Sequence, residues 1–191
     1  NLLRVTVRGW FDQDDAPPGI NSTPENGQHS SNETWQHEMA RIRDGSIRGL
    51  LGDNCMSWLY EDHGADREYL NCILKHINPK GWVDMYRQPK YLYWLTKANY
   101  TDIPVVFIHP HFWRKKYIGQ EKNIQVDSNC EELELYVNGK SAGIKYPQRD
   151  SFNTVTFKNI LVEEGNINAV GIKDGKEYYH IISMPGPAAK I

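Results

Sequence analysis

Residues 132 to 137 read Glu-Leu-Glu-Leu-Tyr-Val, and Asn138-Gly139 follows at once. Leu133, Leu135 and Val137 alternate with Glu132, Glu134 and Tyr136, which buries one face of a strand and wets the other. Asn and Gly both tolerate positive φ, the requirement at the two central positions of a type I′ turn. The segment therefore predicts a hairpin. Asp174-Gly175 repeats the device between strands expected at 167–172 and 178–182. Further strands are expected at 105–108, 123–126 and 152–157. About seven short strands with turns at regular spacing predict an immunoglobulin-like β-sandwich over residues 102–191.

Residues 1–101 have a different texture. Leu2 to Phe11 is a short apolar, β-branched run that suits a buried strand. Residues 12–29 carry Pro17-Pro18-Gly19 and Pro24-Glu25-Asn26-Gly27, which is loop chemistry. Ser30 and Glu33 have capping-box spacing. Trp35, Met39 and Ile42 then give one apolar helix face, and Asp44-Gly45 supplies a stop. A second strand is expected at 47–52, ending around Trp58. A helix with Tyr69, Ile73 and Ile77 on one face is expected within 66–77. Pro89 suits the first position of a helix over 89–99. The order is strand, helix, strand, helix, so the whole is an α+β chain in two parts.

The formal charge of −2, from 22 Lys and Arg against 24 Asp and Glu, gives no basic stripe and no reason to expect nucleic acid. No apolar run approaches the ~20 residues that span a bilayer. The chain opens on Asn1 rather than Met, and a processed or cut N-terminus is expected. Cys55, Cys72 and Cys130 fit three free thiols, or one disulfide and one free thiol. The 11 Tyr and 6 Trp serve core packing or stack on the apolar faces of sugars, and composition does not separate the two. His109-Pro-His111 has a spacing seen in metal sites, but no Cys or carboxylate flanks it at ligand spacing. A surface at the domain boundary is expected for it, and no metal. Asp12, Asp14 and Asp15 lack the Gly and the distant Glu of a calcium loop. Asn21, Asn32 and Asn99 begin Asn-x-Ser/Thr triplets.

The stretch Lys80-Gly-Trp-Val-Asp84…Arg87-Gln-Pro-Lys90 resembles a Gly-φ-φ-Asp…Arg-x-Pro-Lys junction, where φ is apolar. That junction occurs in family 2 glycoside hydrolases, the β-galactosidase and β-glucuronidase family, where the barrel runs into its C-terminal domains. Gly52 leads to Trp58-Leu-Tyr-Glu-Asp62-His63-Gly64, similar to the Gly…Trp-x-x-x-Asp of the eighth barrel strand. Ser128-Asn-Cys130, Glu134-Leu135 and Asn138-Gly-Lys140 resemble the β-sandwich that follows the barrel in many members. Together these cover roughly residues 45 to 175.

The resemblance implies a C-terminal fragment: the last β/α units of a (β/α)8 barrel over 1–101, then the sandwich. It implies hydrolysis of β-glycosidic bonds with retention by two carboxyl groups, without a cofactor, in a secreted or periplasmic protein. The acid/base would lie upstream of Asn1. The expected place of the nucleophile, after the strand at Leu2–Val7, reads Arg8-Gly-Trp-Phe11 and holds no Glu. The fragment alone is therefore expected to be inactive. Residues at strand ends line a barrel site. Trp58 would be a sugar-stacking platform or a core residue, and Asp62 a polar rim group or a loop cap. His63 would be a rim group, with Arg8 and Trp10 facing the same cavity. Asp84, Arg87 and Lys90 are expected to hold the closing turn. The partners implied are a β-linked oligosaccharide and the upstream domains of the same polypeptide. Two β/α units leave open sheet edges, which the sandwich or a second copy in a homodimer would cover. The aromatics, the absent Glu and the sandwich also permit a different class of function, a non-catalytic carbohydrate-binding or scaffolding module.

Overall fold

The computed structural model describes residues 4–6, 55–57, 60–64, 76–78, 81–109 and 112–186. The chain divides into two compact units, Asn1–Tyr93 and Trp94–Ile191. The loop expected at 12–29, the helix from Ser30 to Gly45 and most of the helix within 66–77 lie outside the described residues.

In the first unit, β1 (Arg4–Thr6) pairs in parallel with β2 (Cys55–Ser57), Val5 opposite Met56. β3 (His63–Gly64) pairs antiparallel with β4 (Ile77–Asn78), His63 opposite Asn78. Ile77 is thus a strand residue, not the end of a helix face, because it joins the edge of a two-residue ladder. Helix α1 (Tyr91–Tyr100), most of which belongs to the second unit, begins two residues after Pro89, which instead bridges to Val83. No described helix is long and apolar enough to cross a membrane.

The second unit is a β-sandwich. The described residues form seven strands there: β5 (Val106–His109), β6 (Glu121–Ser128), β7 (Glu132–Val137), β8 (Lys140–Lys145), β9 (Thr154–Leu161), β10 (Asn166–Lys173) and β11 (Lys176–Ser183). One sheet runs β5-β6-β9 and the other β11-β10-β7-β8, antiparallel throughout. Both two-residue hairpins form as the turn chemistry predicts. Asn138 and Gly139 have φ of 50° and 77°, and Asp174 and Gly175 of 52° and 70°.

The core lies between the sheets. Ile108, Ile124, Val126 and Phe157 from one sheet meet Leu133, Leu135, Ile167 and Ala169 from the other, with Trp113 and Val162 beside them. A fully buried aliphatic or aromatic side chain contributes about 1.5–3 kcal/mol. A turn hydrogen bond contributes about 1 kcal/mol net. Burial therefore sets the stability of this unit, and the turns set its register.

The strand starting at Thr154 begins later than the expected Phe152. Phe152 and Asn153 sit in the left-handed region, at φ 58° and 53°, and end a 3-10 turn at Arg149–Ser151. The Asn99 amide donates to Leu95 O at 2.8 Å and to Phe152 O at 2.9 Å. Asn153 returns a bond to Ala98 O at 2.9 Å. The Trp94 ring stacks on Phe107 at 5.0 Å. The end of α1 thereby docks on the outer face of the three-stranded sheet. Asn99 is buried there and offers no amide for glycosylation.

Candidate functional site

Among the described residues of the first unit, Asp62, Gly81 and Lys90 form a closely bonded cluster. Val83 bridges both Glu61 and Pro89. Asp62 N–H donates to Val83 O at 3.0 Å, and Trp82 N–H to Tyr60 O at 2.9 Å. This stitching brings the Asp62 carboxylate to Gly81. Its Oδ1 accepts from Gly81 N–H at 2.6 Å and from Lys90 Nζ at 2.7 Å. A Cβ at Gly81 would lie 2.3 Å from the Asp62 nitrogen and 2.5 Å from Val83 O, so only glycine fits.

Asp84 closes the turn that follows. Its Oδ1 accepts the N–H groups of Tyr86 and Gln88, each at 2.8 Å. Arg87 takes a left-handed φ of 63°, and its guanidinium pairs with Glu61 at 3.4 Å on the exposed side. Lys90 N–H then donates to Trp82 O at 2.9 Å. Asp84, Arg87 and Lys90 hold the turn, as their place in the junction implies.

The expected site residues are distributed as follows. Asp62 is buried, and its carboxylate is engaged as described. His63 follows it and is exposed. Trp58, Arg8 and Trp10 lie outside the described residues. The sequence reading passed over Tyr60, whose exposed ring meets Trp82 edge-on at 6.4 Å. The signal was present, since Tyr60 lies two residues after Trp58.

His109 is not at a surface. It is fully buried, and its Nε2 faces Asp127 Oδ2 at 3.3 Å. The Thr154 hydroxyl donates to the other Asp127 oxygen at 2.7 Å. Strand alternation puts His109 on the same face as Phe107, which α1 covers. No group of three metal-binding side chains occurs among the described residues.

A family model described as a domain of unknown function (DUF4982) matches residues 119–179. A β-glucuronidase of Formosa agariphila is 32% identical over 120 residues, 62% of this chain and 11% of its own length. A β-galactosidase of Bacteroides ovatus is 34% identical over 98 residues, 50% of this chain and 11% of its own. Among solved structures, a β-glucuronidase of Parabacteroides merdae superimposes with a TM-score of 0.63 at 25% identity, over 84% of this chain and 20% of that one. The chain is similar in sequence to these glycosidases and in fold to the family 2 glycoside hydrolases. A β-glucuronidase named as a member of that family covers 97% of this chain with a TM-score of 0.59 at 22% identity, which shows likeness of fold. The chain spans only 11–15% of the length of the curated proteins it matches.

Proposed function

We propose that this chain is the C-terminal part of a retaining β-glycoside hydrolase. It supplies the last β/α units of the catalytic barrel, over 1–101, and the immunoglobulin-like sandwich after them. The observation that carries the reading is the agreement of the curated relatives, all named β-glucuronidase or β-galactosidase. Parallel pairing of β1 with β2 suits neighbouring barrel strands. A three-stranded sheet on a four-stranded one suits an immunoglobulin-like domain.

In this reading Trp58 stacks on the sugar, and His63, Arg8 and Trp10 line the rim. Asp62 acts from beneath, holding the 60–64 segment against Gly81 through Lys90. The acid/base carboxyl group comes from a preceding barrel strand, the nucleophile's expected place after Leu2–Val7 holds no Glu, and the enzyme works outside the cytoplasm. The native gene product, at its natural length, should release nitrophenol from aryl β-D-glucuronides or β-D-galactosides. Trp58→Ala should raise KM more than it lowers kcat. No hydrolysis of either substrate, with no change in Trp fluorescence on adding any β-linked oligosaccharide, would overturn the reading.

A further inference from the structure

We propose that the Phe112–Lys122 connection of the sandwich binds a carboxylate-bearing polysaccharide, a chain of uronic acids. The proposal rests on the glycosidase reading for its ligand class. Arg114, Lys115, Lys116 and Lys122 oppose a single Glu121 within nine residues, a local charge of +3 in a chain of −2. Lys115–Tyr117 form a 3-10 turn, and Lys122 lies on β6. Phe112 and Tyr117 pack against the core, with rings 5.5 Å apart and edge-to-face. Lys122 Nζ sits 4.6 Å from the Tyr117 ring and 5.4 Å from Phe112, and Lys116 Nζ sits 4.9 Å from Tyr117.

Two ammonium groups are thus held around one ring, within ~10 Å of each other, close to a Debye length. Like charges repel at that range. The rings offset the repulsion by cation–π attraction, and an anion across both groups reverses it. Exposed Lys115 and half-buried Arg114 extend the cationic surface. Single-stranded nucleic acid needs open aromatic faces for its bases. Here ammonium groups sit on the Tyr117 ring, so the surface suits carboxylates along a saccharide better.

Affinity electrophoresis of the 191-residue chain in gels containing polyglucuronate tests this. Retardation is expected, and it should weaken with salt. Lys115→Gln with Lys116→Gln and Lys122→Gln should weaken binding roughly tenfold, while Lys140→Gln with Lys176→Gln leaves it unchanged. Amine footprinting of the wild type should show Lys116 and Lys122 protected, which does not depend on any variant folding. Equal retardation by polyglutamate or single-stranded DNA, equal loss in both variants, or no protection at Lys116 and Lys122 would overturn the proposal. Aryl-glycoside hydrolysis by the native gene product should be unaffected by the triple substitution. Absence of that hydrolysis in the wild type would count against the glycosidase reading alone.

Discussion

Lys90 Nζ lies 2.7 Å from Asp62 Oδ1, with both side chains only 2% exposed. A surface pair would contribute little, but a buried one is costly to break, because the remaining charge is stranded. Lys90→Ala should destabilise the first unit by roughly 3–5 kcal/mol. Lys90→Met combined with Asp62→Leu should recover only part of that loss, because the buried Gly81 N–H then loses its acceptor. Hydrogen exchange at the Asp62 and Lys90 amides reports the effect locally. Equal exchange rates in Lys90→Ala and wild type would show that the pair does not hold these segments.

Cys130 is free and buried, and burial pushes its thiol above the usual range, against smaller opposing effects from Ser128 and Lys173. A Cβ at Gly171 would stand 2.7 Å from its sulfur, so the site is closely packed. The thiolate is the reactive form. Cys130 should therefore resist iodoacetamide at neutral pH until the sandwich unfolds. Mass spectrometry of labelled peptides checks this, and fast labelling in the native state would contradict it.

The sandwich was legible because its signals are local. Alternation at 132–137 and two turns needing positive φ fixed two hairpins, and the structure adds mainly length, as at β6. Contacts made across long sequence separations were not legible. Asp127 lies 18 residues beyond His109, so no spacing rule linked them, and His109 looked like a surface residue. Asp62 and Lys90 were seen separately, because an ion pair across 28 residues leaves no periodic trace. The Ser128-Asn-Cys130 motif was visible, but its role was not. Asn129 accepts from Val105 N–H and donates to the carbonyls of Thr101 and Ile103, pinning the entry to the sandwich.

Asn138 serves the first hairpin twice. It takes the positive φ, and its side chain accepts from Asn166 N–H and donates to Glu164 O, both at 2.9 Å. Asn138→Gly keeps the backbone geometry and loses the two bonds, costing about 1 kcal/mol for each. Asn138→Ala also forces a Cβ residue into the left-handed region, adding a further ~1 kcal/mol. The order Asn138→Ala below Asn138→Gly below wild type should appear in urea midpoints. Reversal of the two variants would mean that turn strain is absorbed elsewhere.

On the outer face of the four-stranded sheet, the Tyr136 hydroxyl donates to Glu134 at 2.5 Å. The Glu134 carboxyl is held below its ordinary 4.5, first by Ser141 and then by Tyr136. The Tyr136 hydroxyl is raised above its ordinary 10.0, first by its bond to Glu134. A lowered carboxylate stabilises the fold above its unfolded value and loses that contribution as pH falls through its folded value. A raised phenol does so below its unfolded value and loses it as pH rises through its folded one. Both contributions are therefore complete only between 4.5 and 10.0. Because the Ser141 bond is the larger cause, Ser141→Ala should raise the Glu134 midpoint more than Tyr136→Phe does. Carbon-detected NMR titration of the Glu134 side chain reads both shifts. A larger shift in Tyr136→Phe would assign the carboxylate to the phenol instead, and the Tyr136–Ser141 register across β7 and β8 would then play no part in it.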